Sequence, residues 1–121
     1  MTDFGDRRKE SRKVVMAFTP VYEKGKVLGY LRDLTEKGAQ VNGEKTLEVN
    51  TQTTLSIEIP GELPGITSKR LNIHVRVARC VPDKESGNHY ELGFEFTDLQ
   101  PEQVQVIEAL LERYHFRHKL Y

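Results

Sequence analysis

The sequence has no tryptophan, a single cysteine, two methionines and no net charge, with Lys+Arg and Asp+Glu both counting 18. Each shortage excludes something. A lone thiol, Cys80, cannot close an internal disulfide, which rules out a disulfide-stapled scaffold and is consistent with a reducing compartment. No apolar run approaches the roughly 20 residues that a membrane-spanning helix needs. Met1 to Arg12 is polar and charged and does not read as a secretory signal, so a cytoplasmic location is the expectation. Proteins that track nucleic-acid backbones carry a large positive excess and aromatic platforms on which bases stack. With neither the excess nor tryptophan, nucleic acid is not the expected partner.

What is present fits one small domain. At 121 residues the chain can enclose a single modest core. Residues 1–13 hold only Phe4 as a large apolar side chain and read as a flexible N-terminal segment. From Val14 the pattern becomes strand-like. Val14 to Phe18 and Val21-Tyr22 read as one strand, with Pro20 marking a bend or an edge. Gly25 marks a hairpin turn, and Val27 to Arg32 is the return strand. Ala39-Gln40-Val41 restarts a short strand ended by Asn42-Gly43. Leu55 to Ile59 alternates apolar and polar residues, and Pro60 to Ser68, with two prolines and two glycines, must be a loop. Leu71 to Arg79 alternates for nine residues, with Leu71, Ile73, Val75 and Val77 on one face and Asn72, His74 and Arg76 on the other. After a turn-rich stretch, Tyr90, Leu92, Phe94 and Phe96 share one face of the last strand. Pro101 then opens a helix spanning about 100–116, in which Val104, Ile107, Leu111 and Tyr114 recur at helical spacing. The expectation is a mainly β domain over residues 14–121, a small six-stranded antiparallel barrel with a C-terminal α-helix.

Two stretches carry chemistry. Asp6-Arg7-Arg8-Lys9-Glu10-Ser11-Arg12-Lys13 packs three arginines and two lysines into eight residues. Alone it reads as a solvated basic tail. Asp33-Leu34-Thr35-Glu36-Lys37-Gly38 is a turn that opens on a carboxylate, offers a hydroxyl two residues later and closes on glycine. Alone it reads as a capped turn, with Gly38 free to take a positive φ. Read together, the two ask for a guanine nucleotide with phosphates. Guanidinium groups grip phosphates and the O6/N7 edge of guanine in a bidentate fork and stack on base faces. A carboxylate accepts from the amino side of the same base.

The pair resembles the signature of the PilZ domain, the bacterial receptor module for cyclic di-GMP, whose pattern is Arg-Arg-x-x-x-Arg followed after one hairpin by Asp/Asn-x-Ser-x-x-Gly. Arg7, Arg8 and Arg12 meet the first part. Asp33 and Gly38 meet the second, with Thr35 in place of the usual serine. Leu92-Gly93-Phe94-Glu95-Phe96 resembles the family's last barrel strand, so the likeness covers nearly the whole chain. It implies a split barrel and a ligand site of Arg7, Arg8, Arg12, Asp33, Thr35 and Gly38. An arginine at the place of Arg7 goes in this family with a stacked pair of ligand molecules. The resemblance also implies a non-enzymatic bacterial effector whose ligand changes the N-terminal segment, a change read by an unidentified partner protein in control of motility, biofilm or exopolysaccharide. The alternative is a PilZ-fold interaction module that binds no nucleotide, which Thr35 leaves open.

Arg76 and Arg79 on the long strand are candidates for additional ligand contacts, although such residues are more often the wet side of a sheet. His115 and His118, three apart, lack accompanying cysteines or carboxylates, so no metal site is expected. Cys80 near His74 or His89 imitates a nucleophile with its base, but no oxyanion-binding group accompanies it and a cysteine in a β-rich stretch is usually inert. No catalytic set and no cofactor is expected.

Overall fold

A computed structural model describes residues 13–85 and 87–116. The elements, in chain order, are β1 (Val14–Met16), β2 (Pro20–Glu23), β3 (Lys26–Leu34), β4 (Gly38–Gly43), β5 (Gln52–Glu58), β6 (Arg70–Pro82), β7 (Tyr90–Phe96), α1 (Pro101–Arg113) and β8 (Tyr114–Phe116). Strands β2-β3-β4-β7-β6-β5 close into a barrel in which every neighbouring pair is antiparallel. Closure leaves none of these six with an unpaired edge, which a small open sheet would have to protect.

Alternation builds the interior. Leu71, Ile73, Val75 and Val77 from β6 are buried, as are Leu55 and Ile57 from β5 and Leu92, Phe94 and Phe96 from β7. Successive side chains of a strand point to opposite faces, so these residues fill the barrel while Asn72, His74 and Glu95 face outward. Tyr90 is only half-buried, at the strand's entry. The β2–β3 turn has both central residues left-handed, Lys24 at φ 53° and Gly25 at φ 80°, the geometry that matches the twist of a two-residue hairpin.

Two boundaries differ from the sequence expectation. The stretch from Val14 to Tyr22 is two strands rather than one. Only β2 enters the barrel, whereas β1 runs parallel to β8 with Val14 opposite Tyr114 and Met16 opposite Phe116. The helix accordingly stops at Arg113, and Tyr114–Phe116 is extended. Tyr114 sits where a helical stripe would continue, yet its hydroxyl donates to the Pro60 carbonyl at 3.0 Å and Phe116 is buried. Tertiary anchors override the helical periodicity there.

At its other end α1 starts as the sequence implies. Pro101 occupies the first turn, and the Gln100 N–H donates to Gln103 Oε1 at 2.7 Å. The Gln103 amide in turn donates to the Asn72 carbonyl at 2.7 Å, fixing the helix start to β6. Ile107 and Leu110 are the buried residues of the helix and join the barrel core. None of the described helices is long and apolar enough to cross a membrane.

Candidate functional site

The β3–β4 hairpin carries the second motif, and its turn is held by Thr35. The Thr35 hydroxyl accepts from the amides of Lys37 and Gly38, both at 3.2 Å, and donates to the Gly38 carbonyl at 3.3 Å. The same carbonyl accepts the Thr35 amide at 2.9 Å. Asp33 Oδ1 accepts the amide of Leu34 at 2.9 Å, and the carboxylate is otherwise exposed. The turn is tied to β7 through the Phe96 amide, which donates to the Lys37 carbonyl at 2.9 Å.

Gly38 is required for a different reason from the one its place in a turn implies. It is not among the residues with positive φ. A Cβ built on Gly38 would lie 2.1 Å from the Phe94 carbonyl oxygen, so glycine allows β4 to approach β7. The expectation of a left-handed turn glycine is corrected to one of close strand contact.

These residues frame a concavity of about 370 Å³ on the outer face of the barrel, lined by Asp33, Thr35, Lys37, Gly38, Gln40 and Arg79 together with β7 from Gly93 to Glu95. Its floor follows from strand register. Asp33 pairs with Gln40, Gln40 with Gly93, and Gly93 with Arg79, so one rung runs across β3, β4, β7 and β6. The next rung is Gly38, Glu95 and Arg76.

The two arginines of β6 have separate fates. Arg76 is committed: its Nε and Nη2 lie 3.1 Å from Glu95 Oε1, and its Nη1 donates to Asn50 Oδ1 at 2.7 Å. It does not line the concavity. Arg79 does, and its guanidinium makes no hydrogen bond or ion pair among the described residues. Strict alternation would turn Arg79 inward with Val75 and Val77. A register shift between Val77 and Arg79 instead leaves Ala78 and Arg79 both exposed, as a β-bulge does when it re-aims a side chain. Gly93 completes the arrangement, because a Cβ there would lie 3.2 Å from the Arg79 Cβ.

The lining carries Asp33 and Glu95 against Lys37 and Arg79, so the described surface is electrically balanced. One rung away, Arg32 and Glu91 form an ion pair at 3.0 Å. Arg7, Arg8 and Arg12 lie outside the described residues, as does all but Lys13 of the segment 1–13 that the sequence reads as flexible. The first described residue, Lys13, lines an adjoining hollow with Glu36, Glu108, Leu111 and Glu112. Glu36 belongs to the Thr35–Gly38 turn, so the chain enters beside the motif.

Other candidates stay apart from this face. Cys80 is a free thiol opposite Leu92, and His89 faces Glu44 at 3.7 Å. His74 Nδ1 is 3.0 Å from the Thr54 hydroxyl, on the β5–β6 side. His115 is exposed on β8, and His118 lies outside the described residues. Among the described residues no three of His, Cys, Asp and Glu group as metal ligands would.

A family model described as the PilZ domain matches residues 6–113, which spans both motifs, the barrel and α1. The chain belongs to the PilZ domain family. Neither the curated proteins nor the solved structures give a significant match. PilZ domains are ligand-binding modules for cyclic di-GMP, and in this member the motif turn, Arg79 and Gly93 lie on one face. Sequence reasoning missed Gln40 and Gly93 as parts of that face. Both were legible in part, since Ala39 and Val41 point inward and so send Gln40 outward.

Proposed function

We propose that this PilZ domain binds cyclic di-GMP between its N-terminal arginines and the outer face of β3, β4, β7 and β6. The observation that carries the reading is the shared concavity of Asp33, Thr35, Gly38 and Arg79, next to the point where the arginine-bearing segment joins the fold. Arg7, Arg8 and Arg12 supply the positive charge that two phosphates need and the balanced barrel surface lacks. At about 3.3–3.6 Å per extended residue, Arg8 has a reach of up to roughly 17 Å from Lys13, enough to fold back over the turn. Asp33 accepts from the guanine amino side, Gly38 keeps the floor flat, and Arg79 closes the far wall.

Magnitudes support a two-part site. Micromolar affinity needs about 8 kcal/mol, and a good bidentate arginine contact gives roughly 1–3 kcal/mol before about 0.5–1.5 kcal/mol is lost in ordering the side chain. Three arginines alone fall short, so the barrel face must contribute. The ligand orders the N-terminal segment against the barrel, and a partner protein reads that change in trans. By family, the outputs are motility, biofilm or exopolysaccharide control in a bacterial cytoplasm. Arg7 favours a stacked pair of ligand molecules.

One observation favours a second reading, a PilZ module that acts through protein contacts without nucleotide. The Thr35 hydroxyl is already engaged by the turn, donating to Gly38 and accepting two amides, so it has no further proton to donate to a ligand. Isothermal titration with cyclic di-GMP, beside Arg8→Ala and a GTP control, decides between them. Saturable heat abolished by Arg8→Ala supports the receptor, with stoichiometry reporting one ligand or two. No heat at high micromolar ligand leaves the interaction module.

A further inference from the structure

The rung Asp33–Gln40–Gly93–Arg79 holds one residue that neither motif includes. Gln40 is exposed, lines the concavity and pairs in register with both Asp33 and Gly93. Its amide makes no hydrogen bond among the described residues. A glutamine placed outward on a barrel strand is unremarkable by itself. Here its two neighbours on the rung make the difference. On one side stands the Asp33 carboxylate, with Oδ1 turned to the Leu34 amide. On the other lies Gly93, whose missing side chain leaves bare backbone between Gln40 and Arg79. Those two side chains are two strand spacings apart, about 10 Å. That is room for a flat heterocycle resting on the Gly93 backbone with polar groups at both ends.

We infer that Gln40 is a base-reading residue that works with Asp33 to select guanine. The inference rests on the cyclic di-GMP reading above and adds to it the residue that senses position 6 of the purine. Guanine presents N1–H and N2–H donors beside the O6 acceptor. Asp33, an acceptor only, takes the donors, and the Gln40 side-chain N–H donates to O6. Adenine carries an amino group at position 6 and a bare N1, so Asp33 finds no donor at N1, and Gln40 meets the amino group only by turning its amide oxygen forward, the reverse of the orientation that guanine uses. Arg79 closes the other end of the seat, where its fork can meet N7 or its plane can lie on the base.

The test is isothermal titration of wild type, Gln40→Ala and Gln40→Glu with cyclic di-GMP and with cyclic di-AMP, alongside thermal unfolding of each protein. Gln40 is exposed and makes no hydrogen bond among the described residues, so both variants should unfold at the wild-type temperature. Gln40→Ala should weaken cyclic di-GMP about tenfold, the loss of one base-edge contact. Gln40→Glu should weaken it further, because a carboxylate then faces O6, and should not weaken cyclic di-AMP beyond its value in Gln40→Ala. Binding of cyclic di-GMP within twofold of wild type in both variants overturns the inference, and so does an equal loss for both dinucleotides. Failure of wild type itself to bind cyclic di-GMP is a different result: it removes the receptor reading, and this inference with it.

Discussion

Thr35 does at one residue what a whole loop often does, since a single oxygen holds two amides and one carbonyl of the same turn. The family's serine offers the same oxygen without the methyl group, so Thr35→Ser should leave the turn intact and its melting temperature nearly unchanged. Thr35→Val keeps the shape and removes the oxygen. It should destabilise the domain by about 0.5–1.5 kcal/mol in urea titration, the net value of exchanging the turn's hydrogen bonds for water on an exposed hairpin. Gly38 is more demanding. With the Phe94 carbonyl oxygen 2.1 Å from where a Cβ would sit, Gly38→Ala must push β4 from β7. A loss of about 1–3 kcal/mol is expected by the same measurement, and it should lower ligand affinity by distorting the floor.

At the scale of elements, strands β5, β6 and β7 were legible because each is wet on one face and buried on the other, which writes period two into the sequence. The failures have equally physical causes. β1 and β8 are three residues each, too short for any periodicity, and exist because they pair with one another across the chain. Nothing local in Tyr114-His115-Phe116 opposes continuing the helix. Arg79 is a candidate contact by residue type, but alternation does not place it outward; the β-bulge between Val77 and Arg79 does. The N-terminal motif was read from residue type alone and has no counterpart among the described elements. A consequence for α1 can be checked. Leu110 is fully buried against the barrel, so Leu110→Ala should cost about 2–5 kcal/mol in denaturant unfolding.

At the scale of the whole molecule, charge is balanced overall and balanced again within the concavity. A surface of this kind does not attract polyanions by field alone, and under the proposed function discrimination falls to the arginine segment and the concavity. Oligonucleotides should therefore give no saturable binding at physiological salt, measured by fluorescence anisotropy. Steep salt-dependent binding would mean that the basic segment acts as a nucleic-acid arm instead. Closure of the barrel has its own effect. The proposed ligand face spans four strands locked in one hydrogen-bonded circle, so under the proposed function it is a rigid half against which a second part closes.

The central claim is that the outer face of β3, β4, β7 and β6 is that half-site. Amide chemical shifts followed through a titration with cyclic di-GMP test it most directly. The account predicts saturable shifts concentrated at Asp33 to Gln40, Ala78-Arg79 and Gly93 to Glu95, with Tyr22 and Ser56, paired between the two strands outside that face, unmoved. Shifts centred elsewhere, or none at saturating ligand, would contradict it.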